Sequence, residues 1–172
     1  INESLFEDYL ILTTTSLGEK EATLYIHDLQ QDGAIIYSRE FSKSFNNETI
    51  IISVLDNLSD SGEYDSSAQN KDIIYFNIRK NDSYELLLFD TITKSPLWIK
   101  QYSLNDKTDG STKIFSFINN ETQYLIHQKG SNLYLYNEKT GEEVWHKLLD
   151  LNQNKIGFIK NRIIYYSTTN NE

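Results

Sequence analysis

Three histidines, two carboxylate doublets and one acidic loop hold the side chains of this 172-residue sequence that could ligate a metal or move a proton. A metal such as zinc needs several imidazole or carboxylate donors on one point, often visible as close spacing of the His-x-Glu-x-His kind. His27, His127 and His146 have no such spacing and fall in three separate apolar runs, where a histidine reads as an ordinary strand residue. The loop "NDKTDGST" at 105–112 sets Asp106 and Asp109 beside Gly110. A calcium loop needs alternating ligands ahead of its glycine and a distal glutamate. That spacing is missing, so a hairpin loop is expected. Glu7 and Asp8 in "FEDY", and Glu142 and Glu143 in "GEEV", sit where the pattern expects turns or strand starts, and water stabilises such charges. No Gly-x-Ser-x-Gly occurs, Gly141 lies in no glycine-rich phosphate loop, and there is no Cys to act as nucleophile or thiolate ligand. No catalytic, cofactor-binding or metal-binding residue is therefore assigned, and no cofactor is expected.

Composition narrows the partners. Sixteen basic residues stand against 25 acidic ones, for a net charge of −9. Such a field repels phosphate backbones, so nucleic acid is not expected as a partner. No apolar run is long enough to span a membrane. There is no Met, even at position 1, so the sequence is expected to start after processing or to be a piece of something longer. Asn-X-Ser/Thr triplets begin at Asn2, Asn47, Asn57, Asn81 and Asn120. They are candidate glycosylation sites and point to an extracytoplasmic, ER-lumenal or cell-surface location.

The elements that carry these residues read as strands. Aromatic residues make up 13% of the chain, mostly Tyr mixed with Ile and Leu, which favours strands over helices. Strand-type runs are expected at 9–16, 22–29, 34–41, 49–56, 72–79, 84–91, 96–103, 113–119, 123–129, 132–138, 143–149, 155–160 and 162–168. Turn-formers such as "QQDG", "KNDS", "KGSN" and "EKTG" separate them. Sustained 3.6 periodicity is absent, so almost no helix is expected. Pro96 opens a strand, where its missing N–H does least harm. The polar segment 57–71 reads as a flexible loop between strands.

The runs group in fours. Trp98 stands eight residues after Asp90, and Trp145 eight residues after Asn137; these are the two tryptophans of the chain. Asp or Asn is expected to close one strand and to bond the turn backbone that follows, with Thr140 and Gly141, or Thr93, completing the turn. Because strand side chains alternate, a fixed offset past the turn puts each Trp on the same face, where it can be buried between sheets. The first group departs slightly. After Asp28 the glycine comes late, at Gly33, and Tyr37 stands where Trp is expected.

This pattern resembles the PQQ-like repeat of quinoprotein-type β-propellers, which runs loosely Ala-x-Asp-x-x-Thr-Gly-x-x-x-Trp. Leu135, Asn137, Thr140, Gly141 and Trp145 fit it, with Leu for Ala and Asn for Asp. Leu88, Asp90, Thr93 and Trp98 fit it as well, with Lys94 in place of Gly. The resemblance implies an all-β, partial β-propeller (PQQ-like or WD40-like) of about three four-stranded antiparallel blades at 9–56, 72–119 and 123–160. Residues 161–172 would start a further blade, and the whole of 1–172 would be one segment of a larger propeller. A self-standing β-sandwich is the structural alternative. Enzymes of that family hold their cofactor beside a Ca²⁺ site and a catalytic Asp, many with a vicinal disulfide. No residue here matches that loop. The function expected is a non-catalytic scaffold that binds other proteins and packs against the remaining blades. Lumenal propellers that serve in membrane-protein assembly, as in the largest subunit of the ER membrane protein complex, use similar degenerate repeats. The alternative is a fragment of a PQQ-dependent dehydrogenase whose catalytic residues lie elsewhere.

Overall fold

The computed structural model describes residues 2–15, 21–42, 50–55, 72–80, 83–103, 112–148, 154–159 and 162–167; for residues 2, 15, 154–159 and 162–167 it describes the backbone alone. The described chain is all-β apart from one 3-10 turn at Leu29–Gln31. The first sheet contains β1 (Asn2–Phe6), β2 (Tyr9–Thr15), β3 (Glu21–Asp28) and β4 (Ala34–Ser42). The second contains β5 (Ile51–Val54), β6 (Ile73–Arg79), β7 (Ser83–Asp90) and β8 (Ser95–Ser103). The third contains β9 (Thr112–Asn119), β10 (Thr122–Lys129), β11 (Asn132–Asn137) and β12 (Glu143–Leu148). A hairpin of β13 (Asn154–Ile159) and β14 (Arg162–Ser167) follows. Each four-stranded sheet is an antiparallel meander in which every strand pairs with its neighbours in sequence.

Every strand expected from sequence is present, with ends moved by two residues at most. The grouping differs. The sheets run 2–42, 51–103 and 112–148, one strand earlier than the blocks 9–56, 72–119 and 123–160. The short apolar runs at 51–54 and 112–119 open the following sheet instead of closing the preceding one. The Asp/Asn strand is therefore third in its sheet, and the Trp or Tyr strand is the fourth, at the edge. β1 was missed altogether, because "NESLF" offers only Leu5 and Phe6 as apolar side chains.

The chain divides into two compact units, Ile1–Leu55 with Asp72–Asn105, and Asp56–Lys71 with Asp106–Glu172. In the first unit, two sheets pack face to face. Ile11, Ala22, Leu24, Ile26 and Phe41 of the first sheet meet Ile52, Ile74, Phe76, Ile78, Leu87 and Phe89 of the second. Burying each large apolar side chain is worth roughly 1.5–3 kcal/mol against leaving it in water. β6 and β7 are buried on both faces, since Tyr75, Leu86 and Leu88 on the opposite side are also covered. This explains why "IIYFNI" and "YELLLF" run apolar without alternation.

In the second unit, Phe115, Ile126, Leu133 and Leu135 form one cluster, with Phe117, Tyr124 and Trp145 packed against it. The other face of this sheet carries an aromatic row. His127, Tyr134 and His146 are cross-strand neighbours on β10, β11 and β12. Tyr134 stacks on His146 with ring centres 4.4 Å apart, and on His127 at 5.9 Å.

Candidate functional site

The residues singled out by spacing converge on one local structure, built three times. At the end of β3 the Asp28 carboxylate accepts from the Gln30 N–H at 3.0 Å. At the end of β7 the Asp90 carboxylate accepts from Ile92 N–H at 2.8 Å and Thr93 N–H at 3.3 Å. At the end of β11 the Asn137 side-chain oxygen accepts from Lys139 and Thr140 N–H groups, both at 3.1 Å. A short side chain ending in oxygen can reach the backbone two residues on, which is why Asp and Asn start such turns. The next residue ties each turn to the opposite end of the neighbouring strand. Leu29 N–H donates to the Asp8 carbonyl, Thr91 N–H to that of Asp72, and Glu138 N–H to that of Gln123, at 2.8–3.0 Å. In the first sheet Gln30 adds a side-chain bond to the Asp8 carboxylate at 2.6 Å.

Each turn leaves through a left-handed residue. Gly33 has φ +74°, Gly141 φ +70° and Lys94 φ +54°. Lysine at Lys94 carries a steric cost that glycine does not. Its amino group lies 3.2 Å from the Asp28 carboxylate on the neighbouring sheet, an ion pair that offsets part of that cost. The late glycine of the first turn has a clear cause. The 3-10 turn at Leu29–Gln31 adds a residue, and Asp32 at φ +53° precedes Gly33.

Past the turn, the aromatic positions coincide. Tyr37 pairs with Ile26, Trp98 with Leu88 and Trp145 with Leu135. In all three sheets a register shift follows that pair, between Ile26 and His27, Leu88 and Phe89, and Leu135 and Tyr136. Tyr37 thus occupies the place of the tryptophans. It crosses to the second sheet, its ring centre 5.1 Å from that of Phe89. Burial raises the pKa of its phenol, with the Arg39 charge opposing the rise. Trp98 and Trp145, on edge strands, are only partly buried, so neither indole is as enclosed as the offset alone suggests.

The histidines split. His27 is on the first sheet; its Nδ1 lies 2.8 Å from the Gly33 carbonyl, which can only accept, so Nδ1 holds the proton. His127 and His146 flank Tyr134 on the third sheet. His146 Nε2 donates to the Asn132 side-chain oxygen at 2.9 Å. His127 is completely buried, and burial pushes its pKa down to about 3, helped by Lys129, so it is neutral near pH 7. Among the described residues no group of three or more His, Asp or Glu side chains is placed to hold a metal ion. No described helix is long and apolar enough to cross a membrane.

One polar cluster escaped the reading by spacing. Glu85, 2% exposed, accepts from Arg39 Nη2 of the neighbouring sheet at 2.7 Å and from Gln101 at 3.3 Å, with the Lys80 amino group at 3.5 Å. The signal was available, since an acidic residue inside "YELLLF" must bring a cationic partner or stay neutral. Similarly, the Ser116 hydroxyl donates to the buried Glu138 carboxylate at 2.8 Å.

Asn120 lies with Glu121 in the β9–β10 turn, exposed, with φ +48° and +64° for the pair. Asn2 begins β1. Asn47, Asn57 and Asn81, most of the loop 105–112 and the segment 57–71 lie outside the described residues. Large apolar side chains remain exposed on outer strands, with Leu148 at 69% and Val144 at 51% on β12, and Leu5 at 69% and Ile35 at 57% on the first sheet. No family model matches the chain, and no curated protein matches it.

Proposed function

We propose that the chain is a non-catalytic segment of a propeller-type scaffold, its sheets serving as blades and its outer strands binding other proteins. One observation carries this reading. Among the described residues β12 is the edge strand of its sheet, and Val144 and Leu148 stand exposed along it. Exposed apolar side chains on a sheet edge invite another chain, unless they are covered in use. The titratable groups support the same reading. His127 is buried and neutral, and Glu85 is held in an ion pair with Arg39, so both are spent on structure. The exposed sequon at Asn120 supports an extracytoplasmic or ER-lumenal setting.

The test compares capture of proteins by immobilised wild-type chain and by the Val144→Lys, Leu148→Lys double variant. Specific capture should fall with the double variant while its melting temperature holds, because both side chains are exposed already. Capture that is indifferent to both substitutions would contradict the reading, as would tight binding of PQQ with Ca²⁺ by the wild-type chain.

A further inference from the structure

The three sheets share one register, and they differ in how far one equivalent face is covered. In the second sheet, the face that receives Tyr37 includes Ile74, Phe76, Leu87 and Phe89, all fully buried. The same register positions in the third sheet are Leu125, His127, Tyr134 and Tyr136. Three of these are at 0–1% exposure and Tyr134 is partly buried. In the first sheet they are Leu10, Leu12, Tyr25 and His27, and all four are only partly buried. Leu5 and Ile35 extend that face and are largely exposed. One of three equivalent faces is therefore open.

The interface between the first and second sheets says what fits it. There the covering sheet brings Tyr37 over Phe89 and Arg39 onto Glu85, beside Gln101. On the open face, Thr23 occupies the register of Glu85, and the exposed Glu40 that of Gln101. The acidic group stands one strand outward, on β4, and a sheet that took this carboxylate out of water would have to bring a cation to it. Among the described residues, a second copy of this chain offers no free surface of the covering kind. The residues paired with its three aromatic positions, Ile26, Leu88 and Leu135, are all buried already.

We propose that the open face of the first sheet, centred on Leu12 and Tyr25, seats a further four-stranded sheet of the same repeat from outside these 172 residues. That sheet carries an aromatic side chain at the register of Tyr37 and a cation at the register of Arg39. This rests on the scaffold reading and names one of its partners.

The chain contains no Cys, so a single introduced thiol reports on the face without interference. Leu12→Cys places it at the centre, and Tyr25→Cys serves if the first variant folds poorly. Residues 1–42, whose sheet covers the second sheet through Tyr37, are repeated ahead of the full chain through a flexible linker. Thiol reactivity toward a disulfide reagent is then compared with and without the added sheet. Reactivity should fall roughly tenfold or more when the face is covered, and Tyr37→Ser in the added copy alone should restore it. Equal reactivity in both proteins overturns the proposal, including the case in which the added sheet stays unfolded. Protection of the unextended chain overturns it too, naming a second copy if it rises with concentration and the chain itself if it does not. No other protein is in the assay, so its failure leaves the capture experiment, and the scaffold reading, standing separately.

Discussion

Asp28, Asp90 and Asn137 show how much one side chain fixes. Each ends a strand and holds the following turn through its own oxygen. Asp90→Ala removes two such bonds and should lower stability by about 1 kcal/mol, as loss of a comparable helix cap does. Asn137→Asp keeps the acceptor and should be close to neutral; urea unfolding of the variants checks both. Gly33 isolates the backbone term. A methyl group there would meet nothing within 4 Å, so the cost of Gly33→Ala is conformational alone, about 1–2 kcal/mol at φ +74°. Lys94 was not legible as a left-handed residue, because its compensation comes from Asp28, 66 positions away in sequence.

At the scale of the strand and sheet, the apolar runs were legible because strand burial needs only local alternation or continuous apolarity. Their grouping was not. In an antiparallel meander every strand pairs with the next, so no local signal says where one sheet ends, and the blocks came out one strand late. Glu85 and His127 show the same limit, since their partners and cover come from packing that spacing does not encode. His127 gives the aromatic row of the third sheet a pH dependence. Its folded pKa of about 3 lies below the ordinary 6.5. The unfolded chain therefore takes up a proton first as pH falls. Its stabilising contribution is complete above pH 6.5 and is lost progressively toward pH 3, about 2–3 kcal/mol of it by pH 4.5. His127→Phe should flatten that part of the stability profile between pH 7 and 4.5 while keeping the stack on Tyr134. An unchanged slope would show that His127 does not set it.

For the molecule as a whole, one unit made three times is the central claim: a meander, an Asp/Asn turn, then an aromatic one pair before a register shift. The indole spacing disclosed that unit in two sheets, and Tyr37 was legible as its third member only because the offset tolerated one extra turn residue. The open face was not legible, because it appears only when three finished sheets are compared. Cross-strand nuclear Overhauser contacts in the isotopically labelled chain test the claim most directly. Backbone contacts should join Ile26 to Tyr37, Leu88 to Trp98 and Leu135 to Trp145, each followed by a one-residue slip toward the turn. A different partner for any one of the three aromatic residues, or an unbroken register through the pair that follows, would contradict it.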